Sequence, residues 1–393
     1  MNPQLPKIRT VDPQPIFHQG QPSLYLRDPL QLNGHALVLP QVLGPLLFLC
    51  NGTRGLPVIA RIMQTHFGVR VGEAQLAQFM EAFDEVYLLD NARSRAAQHR
   101  ALDDYRHAPF RPPASAGLSY PADPAELHRL LQDYLERAEV QPDTEGGRAL
   151  LSPHIDYPRG GSVYAQVWKR AAHMLQQADL FIIIGTDHHN SRDPITLTRQ
   201  NYATPSGVLP TSQSVVNALA QAIGEDAAFA GELYHRQEHS LELPLVWLHY
   251  LVGMRPVEVV PILAGNLTPG DPLIPRVVDA LHQAAASRKA FFVISGDLAH
   301  VGPAFGGEPL SLATNDIGRA DEALLGRLAA GDAEGFLDSI LRGENANNVC
   351  GTYPLYLALR ALGNFSGERA GYAQCPADEA GTSLVSVAGM VFN

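Results

Sequence analysis

In the C-terminal two thirds of the chain, short apolar runs alternate with longer segments that are apolar on one side only. The apolar runs include Ala149–Leu151, Leu180–Ile184 and Phe291–Ile294, and polar residues follow each of them. Between these runs, segments such as Val163–Leu175 and Pro275–Ala286 have the pattern of amphipathic helices. Strands that alternate with helices predict an α/β architecture in which helices cover a sheet.

The N-terminal residues follow a different pattern. The first residues, up to about position twenty, are polar and rich in proline, which predicts an extended arm. Pro40–Leu49 then predicts a short helix that ends at Asn51-Gly52, and Thr53 can cap a second helix. A third helix is indicated by apolar residues at helical spacing, namely Leu76, Phe79, Met80 and Phe83. With a short strand at Tyr87–Leu89, this segment is predicted to form a small winged-helix-like domain.

The length of 393 residues and a change in composition predict two domains. Residues 93–113 are polar, contain several arginines and end in a cluster of prolines, as is typical of a linker. We therefore assign residues 1–92 to the N-terminal domain, 93–113 to the linker and 114–393 to the large domain.

The net charge of -11, with no long basic run, argues against a nucleic-acid partner, because such partners require clustered lysine and arginine. No apolar stretch approaches the length of a membrane span, and the N-terminal residues lack the apolar core of a secretory signal, so we predict no membrane partner. Three cysteines are too few and too far apart for a disulfide framework. These features together predict a cytoplasmic protein.

Histidines follow two of the apolar runs. His154 comes after Ala149–Leu151, and His188 comes after Leu180–Ile184. Because ligands collect beyond the carboxyl ends of strands in open α/β sheets, these distant histidines can share one pocket. Cys350 becomes a ligand candidate only if it meets both histidines. Two imidazoles and one thiolate with an open position suit iron, copper or zinc better than magnesium or calcium.

A carboxylate and a histidine follow a third apolar run, Phe291–Ile294. Asp297 and His300 are three residues apart, so they face the same side if the chain becomes helical there. A carboxylate beside a histidine orients the imidazole and raises its basicity. This pair predicts either a general base or a pair that orients a metal ligand.

One local motif supports a different function. The run from His235 to His239 has the order H-x-x-E-H, in which both histidines of an inverted zinc peptidase bind zinc from one helix face. Pro244 argues against a continuous helix from His235 through Leu245, because proline lacks a backbone donor and clashes with the carbonyl of Ser240. Glu238 and Glu242 can instead line a loop that enters the pocket. A zinc peptidase is therefore one functional hypothesis.

Six segments of the large domain occur in the same order as in a known family. They are Ala116-Gly-Leu-Ser-Tyr-Pro-Ala, Ser152-Pro-His-Ile-Asp-Tyr, Gly185-Thr-Asp-His-His, Glu238-His-Ser-Leu-Glu, Ser295-Gly-Asp-Leu-Ala-His and Asn348-Val-Cys-Gly. Through them, residues 114–393 resemble the Memo family, also called AmmeMemoRadiSam system protein B. That family is similar in fold to the class III non-haem-iron extradiol dioxygenases of the LigB type. The resemblance implies a central mixed sheet flanked by helices.

The resemblance also implies which residues form the site. The family's metal ligands match His154, His188 and Cys350, and its other pocket residues match Asp297 and His300, with His239 nearby. Cys350 stands where the related dioxygenases carry a glutamate. A soft thiolate favours iron or copper, and zinc is the alternative.

Two further functions are consistent with this resemblance. The first is a metal-dependent oxidoreductase in which His300 acts as acid or base and is oriented by Asp297. The second is a non-catalytic binding or scaffold protein whose pocket holds a metal or a peptide. The family's name associates it with radical-SAM and AMMECR-type proteins, which implies a partner of that kind.

The N-terminal domain carries a second, shorter resemblance. Cys50-Asn-Gly-Thr-Arg, followed by Ile59 and Phe67-Gly-Val, resembles the small peptide-binding family of pyrroloquinoline-quinone biosynthesis (PqqD-like). This resemblance implies a peptide ligand for the domain. The acidic residues of the third helix would repel phosphate, so DNA is not the expected ligand.

Overall fold

The computed structural model describes residues 5–143, 146–189, 193–310 and 316–393. The chain divides into two units, Met1–His107 and Ala108–Asn393, and each has its own apolar core. Among the described residues, no helix has both the length and the apolar composition needed to cross a lipid bilayer.

The N-terminal unit begins with a three-stranded antiparallel sheet. Its strands β1 (Asp12–His18), β2 (Gln21–Arg27) and β3 (Leu37–Pro40) pair in the order β1-β2-β3. The expectation that the first residues form an extended arm is therefore wrong. Pro13 and Pro15 are compatible with β1 because it is an edge strand, where alternate residues need no partner for a backbone N–H group.

Helices complete this unit. They are α1 (Leu46–Leu49), α2 (Leu56–Phe67), α3 (Glu73–Glu85) and α4 (Ala92–His107). Helix α4 occupies most of residues 93–113, the stretch predicted to be a linker. Asn91 and Ser94 cap its first turn through reciprocal hydrogen bonds of 3.0 and 3.1 Å, and strong helix formers fill much of the rest. The winged-helix-like arrangement and the peptide ligand stay predictions.

The second unit contains a longer run of strands and helices. Its strands are β4 (Ala149–Ser152), β5 (Leu180–Thr186), β6 (Ile195–Leu197), β7 (Tyr202–Thr204), β8 (Gly207–Leu209), β9 (Glu258–Ala264), β10 (Ala290–Ser295), β11 (His300–Val301), β12 (Gly367–Pro376) and β13 (Leu384–Phe392). Its helices are α5 (Pro124–Arg137), α6 (Tyr157–Leu175), α7 (Gln213–Ile223), α8 (Glu225–Ala228), α9 (His239–Val252), α10 (Leu273–Ser287), α11 (Ile317–Ala329), α12 (Ala333–Arg342) and α13 (Thr352–Leu362).

Strands β4, β10, β5 and β9 form the parallel centre of an eight-stranded mixed sheet. The order is β11-β13-β4-β10-β5-β9-β6, with β12 paired to β13, and the outer pairings are antiparallel. Ser295 at the end of β10 lies opposite Ser152 at the end of β4, so these strands end at the same edge. The predicted α/β class with a central mixed sheet flanked by helices is confirmed.

Helices cover both faces of this sheet. Ile182 and Ile184 of β5 belong to the core that includes α7, α10, α11, α12 and α13. Phe181 and Ile183 belong to the core that includes α5, α6 and α9. This division follows from the two-residue period of a strand. All four side chains are buried, as is typical of a central parallel strand with helices on both sides.

Residues 235–245 do not form one helix, as predicted, but the break lies at Gln237 and Glu238 and helix α9 continues through Pro244. Proline has no N–H to donate to the carbonyl of Ser240, one turn earlier. That carbonyl is not left unpaired, because the hydroxyl of Ser295 donates to it. Glu242, predicted to line a loop, therefore lies in a helix.

Candidate metal centre

The carboxyl ends of three neighbouring strands bring predicted site residues together. His154 lies two residues beyond the end of β4, and His188 lies two residues beyond the end of β5. Asp297 lies two residues beyond β10, which pairs with both of these strands. Because the three strands are parallel and adjacent, these residues emerge at one edge of the sheet.

Close packing of two glycines brings Cys350 to this edge. A Cβ atom on Gly296 would lie 2.6 Å from the Cα atom of Gly351, so a side chain there would push the two loops apart. The N–H of Gly351 donates to the carbonyl of Asp297 over 3.0 Å. Asn348 has a φ of 48°, a left-handed conformation that asparagine adopts more readily than most residues. The turn through these residues holds Cys350 beside the end of β10.

The three candidate metal ligands form one cluster. The Sγ atom of Cys350 lies 3.1 Å from Nε2 of His154. One ligand atom from each of His154, His188 and Cys350 lies within 4.8 Å of the others. Ligand atoms about 2.0–2.3 Å from one ion at tetrahedral angles are about 3.5 Å apart, so the cluster can hold an ion with little rearrangement. The residues present therefore fit a metal site with an open position.

The surroundings of Cys350 act in opposite directions on its ionisation. Burial raises the pKa of the Cys350 thiol, whereas a hydrogen bond with His188 acts to lower it. Helix α13 begins two residues after Cys350, and the partial positive charge of a helix N-terminus favours a nearby thiolate. A bound cation would complete the ionisation, because a coordinated thiol loses its proton.

Glu238 holds His188 through two hydrogen bonds. Its Oε1 accepts from Nδ1 of His188 over 2.9 Å, and its Oε2 accepts from the backbone N–H of His188 over 3.0 Å. Burial opposes ionisation of Glu238, but the neighbouring histidines hold the pKa of its carboxyl well below its usual value. Because a carboxylate only accepts hydrogen bonds, Nδ1 of His188 keeps its proton and Nε2 is the nitrogen available to a metal.

His154 is completely buried. Its backbone N–H donates to Oδ1 of Asp297 over 2.9 Å, and its Nδ1 lies 3.2 Å from the hydroxyl of Ser295. Burial and the positive charge of neighbouring histidines lower the pKa of His154 well below its usual value. The ring is therefore neutral at physiological pH, as coordination of a metal requires.

Asp297 and His300 do not pair in the way the sequence predicted. Residues 296–299 are not helical, so the two side chains do not share a helix face. The carboxylate of Asp297 instead lies against His154, with Oδ2 at 3.7 Å from Nε2. Burial raises the pKa of Asp297 to about 7. Asp297 thus contacts a candidate metal ligand.

His300 has other partners. Its Nδ1 lies 3.2 Å from the carbonyl of Leu298, so Nδ1 carries the proton and Nε2 carries a lone pair. The ring packs at right angles to Phe305, with centroids 5.1 Å apart. Burial lowers the pKa of His300 to about 4, which keeps the imidazole neutral near neutral pH. His300 can therefore accept a proton.

His239 lies directly beside one candidate ligand. Its ring stacks on His188 with centroids 4.7 Å apart and an interplanar angle of 16°. Its Nδ1 lies 3.3 Å from Oε1 of Glu238, and these three residues form a second group of candidate ligand atoms. The Oε1 atom also accepts from the backbone of Ser240, so this carboxylate already has several donors. The first cluster is therefore the better candidate for a metal site.

Glu242 forms a buried ion pair with Arg111. Their side chains are 1% and 0% exposed, and Nη1 of Arg111 donates to Oε2 of Glu242 over 2.5 Å. The backbone N–H groups of Ala114 and Ser115 and the hydroxyl of Tyr120 also donate to this carboxylate. Glu242 therefore stabilises the fold and is not available to the pocket.

Arg111 was not identified from the sequence, although the structure gives it several buried partners. Its Nε donates to the carbonyl of His235 over 2.7 Å, and its Nη2 donates to the carbonyl of Glu238 over 2.8 Å. These bonds position the segment that leads into α9. An arginine that precedes two prolines carries no local signal of burial, so only the distant partners identify its role.

His235 does not join His239 in a zinc site. His235 lies in a separate 3-10 turn, Glu232–Arg236, whereas His239 is the first residue of α9. The Nδ1 atom of His235 lies 2.6 Å from the Tyr202 hydroxyl, and Nε2 lies 3.1 Å from the Thr196 carbonyl. Both ring nitrogens are thus occupied, and no candidate metal group among the described residues includes His235. The positions of His235 and His239 therefore contradict the interpretation of this run as the zinc site of an inverted zinc peptidase.

The buried ring of His235 predicts acid sensitivity. Burial lowers its pKa from 6.5 to about 3, so the unfolded chain binds a proton in a range where the folded protein does not. The stabilisation is complete above pH 6.5 and is lost as the pH falls towards 3, by at most about 1.4 kcal/mol per pH unit. Urea unfolding over this range should show a shallower pH slope for His235→Gln. Equal slopes for the variant and the wild type would contradict this explanation.

Known proteins match both the second unit and the full chain. A family model for Memo-like proteins matches residues 111–391. A MEMO1 family protein of Aquifex aeolicus is 26% identical over 98% of this chain and 99% of its own length. A MEMO1 family protein of Thermus thermophilus is 29% identical over 72% of this chain and 82% of its own length.

Among solved structures, an uncharacterized protein from Escherichia coli matches with a TM-score of 0.38 and 15% identity. The match covers 63% of this chain and 99% of that protein, and this TM-score is too low to inform the fold. The family match is different, because it covers most of the chain and all three candidate metal ligands. The chain therefore belongs to the Memo-like family.

Proposed function

We propose that this protein binds one iron or copper ion through His154, His188 and Cys350 and acts as a metal-dependent oxidoreductase. One observation carries the proposal: a ligand atom from each of the three side chains lies within 4.8 Å of the others. The contact of 3.1 Å between Cys350 and His154 joins residues that are 196 positions apart in the chain. A sulfur donor and two imidazole nitrogens that meet at the edge of a sheet are typical of a metal site.

The donor types favour iron or copper. A thiolate with two imidazoles is a soft donor set, and calcium and magnesium prefer oxygen ligands. Zinc also accepts these donors, so metal analysis has to decide between the three ions. Iron or copper, when bound, supplies redox chemistry and an open coordination position.

The other pocket residues have separate roles in this proposal. His300 is the acid–base residue of this proposal, because burial keeps its imidazole neutral and its Nδ1 is held at 3.2 Å from the Leu298 carbonyl. His239 stacks on His188 and is partly exposed, so it can contact a bound substrate. Asp297 orients His154 through the backbone hydrogen bond of 2.9 Å.

Metal analysis of protein purified without added metal tests the proposal. We expect close to one iron or copper ion per chain, and oxygen uptake when catechol-type compounds are added to the metal-loaded protein. Failure to hold iron or copper, even after anaerobic loading, would contradict the metal assignment. Full occupancy without turnover on a broad panel of compounds would instead identify a non-catalytic metal-binding protein.

A further inference from the structure

Ser240, in the first turn of α9, contacts residues that hold all three candidate ligands. Its N–H donates to Oε1 of Glu238 over 2.9 Å, and Glu238 holds His188. Its hydroxyl donates to the carbonyl of Thr186 over 2.7 Å, and the Thr186 hydroxyl donates to the carbonyl of Cys350 over 2.9 Å. Ser240 is completely buried, and each of its polar groups has a partner.

The carbonyl of Ser240 determines which nitrogen of His154 carries the proton. A serine hydroxyl has one hydrogen atom, and a carbonyl oxygen can only accept. The Ser295 hydroxyl uses this hydrogen to donate a hydrogen bond to the Ser240 carbonyl. In the contact of 3.2 Å between Ser295 and His154, the Nδ1–H of the ring must then be the donor and the Ser295 oxygen the acceptor. Nδ1 carries the proton, and Nε2 presents its lone pair to Cys350.

Pro244 allows the Ser295 hydroxyl to bond to the Ser240 carbonyl. In a regular helix, the N–H of residue 244 would donate to the carbonyl of residue 240 and compete with Ser295. Proline has no N–H, so the Ser240 carbonyl is open to a donor from outside the helix. Pro244 thus leaves the Ser240 carbonyl open to the hydroxyl of Ser295, the last residue of β10.

We propose that Pro244 and Ser240 are positioning residues that hold the metal-facing tautomer of His154 through the hydroxyl of Ser295. The importance of this tautomer for metal binding rests on the proposed function, whereas the tautomer itself is a property of the metal-free protein. Residues that fix the tautomer of a ligand histidine usually contribute about 10–100-fold to metal affinity.

Nitrogen-15 NMR of histidine-labelled, metal-free protein tests the tautomer, and a titration with Co²⁺ alone tests its consequence. The variants are Ser295→Ala, which removes the acceptor for Nδ1–H, and Pro244→Ala, which adds a competing N–H. Ser339→Ala is the matched control, because that hydroxyl donates to the carbonyl of Gly335 within α12. We expect the Nε2–H form of His154 to appear in both test variants and Co²⁺ affinity to fall about 10-fold or more in Ser295→Ala.

The control should keep the wild-type tautomer and the wild-type Co²⁺ affinity. The proposal is overturned if Ser295→Ala and Pro244→Ala both keep Nδ1 protonated. A change in Ser295→Ala alone would remove Pro244 from the mechanism. If Ser295→Ala does not fold, the spectrum of the metal-free wild type decides the question, because an Nε2–H form of His154 there would overturn the proposal. Wild-type protein that binds neither Co²⁺ nor iron or copper would contradict the proposed function, while the NMR result would still decide the tautomer.

Discussion

Replacing Cys350 with alanine is expected to abolish tight metal binding. The variant keeps the imidazoles of His154 and His188 but loses the sulfur, which is the softest donor of the cluster. Residues that only orient a ligand contribute about 10–100-fold to metal affinity, so loss of a ligand should weaken binding by at least about 100-fold. Iron and copper analysis of the purified variant, followed by a Co²⁺ titration, measures the change.

Cys375→Ala provides the matched control. Cys375 is also buried, and its Sγ lies 3.4 Å from the carbonyl of Arg159. It is absent from the candidate metal groups found in the described part of the chain. We expect this variant to hold as much metal as the wild type. Equal metal content in Cys350→Ala and Cys375→Ala would show that the ligand assignment is wrong.

Replacing Glu242 with glutamine is expected to reduce the free energy of unfolding by about 3–5 kcal/mol. The change leaves the guanidinium of Arg111 buried without a charged partner, and the side chain of Arg111 is 0% exposed. The new amide group would also face the N–H groups of Ala114 and Ser115, which now donate to the carboxylate. Urea denaturation, fitted with a common slope for variant and wild type, measures the loss.

Glu225→Gln provides the comparison for this variant. Glu225 pairs with Arg199 over 2.8 Å at the surface, where the two side chains are 60% and 38% exposed. Solvent screens such a pair, so the expected loss is about 0–1 kcal/mol. If Glu242→Gln and Glu225→Gln lose the same small amount, the buried pair does not stabilise the fold as described.

The strands of the second unit were largely predictable from the chain. Leu180–Ile184 is apolar at every position, and only a strand or helix covered on both sides has that pattern. Its short length and its β-branched residues favoured a strand, and β5 confirms this. The strand β1 was not predictable in the same way. Its prolines suggested an extended arm without pairing. The strand forms because β2 pairs with one of its edges.

The residues of the candidate site were easier to predict than their partners. His154 and His188 could be named because polar residues directly after apolar strands lie at a sheet edge. The partner of Asp297 could not be inferred, because it depends on whether residues 296–299 form a helical turn. They remain non-helical, so the carboxylate contacts His154. Arg111 was missed because its charged partner Glu242 and the carbonyls of His235 and Glu238, to which its guanidinium donates, are distant in the chain.

The amino-acid sequence alone determined the α/β class and the two candidate histidine ligands, because apolar periodicity and polar residues after strands are local properties of the chain. Cys350 was a candidate through the family resemblance. Only the tertiary structure decided that β10 lies between β4 and β5, that Gly296 meets Gly351, and that Pro244 leaves a carbonyl open. These features depend on contacts between segments that are far apart in the chain. A local sequence pattern cannot predict such contacts, because they form, and stabilise the protein, only when the sheet has assembled.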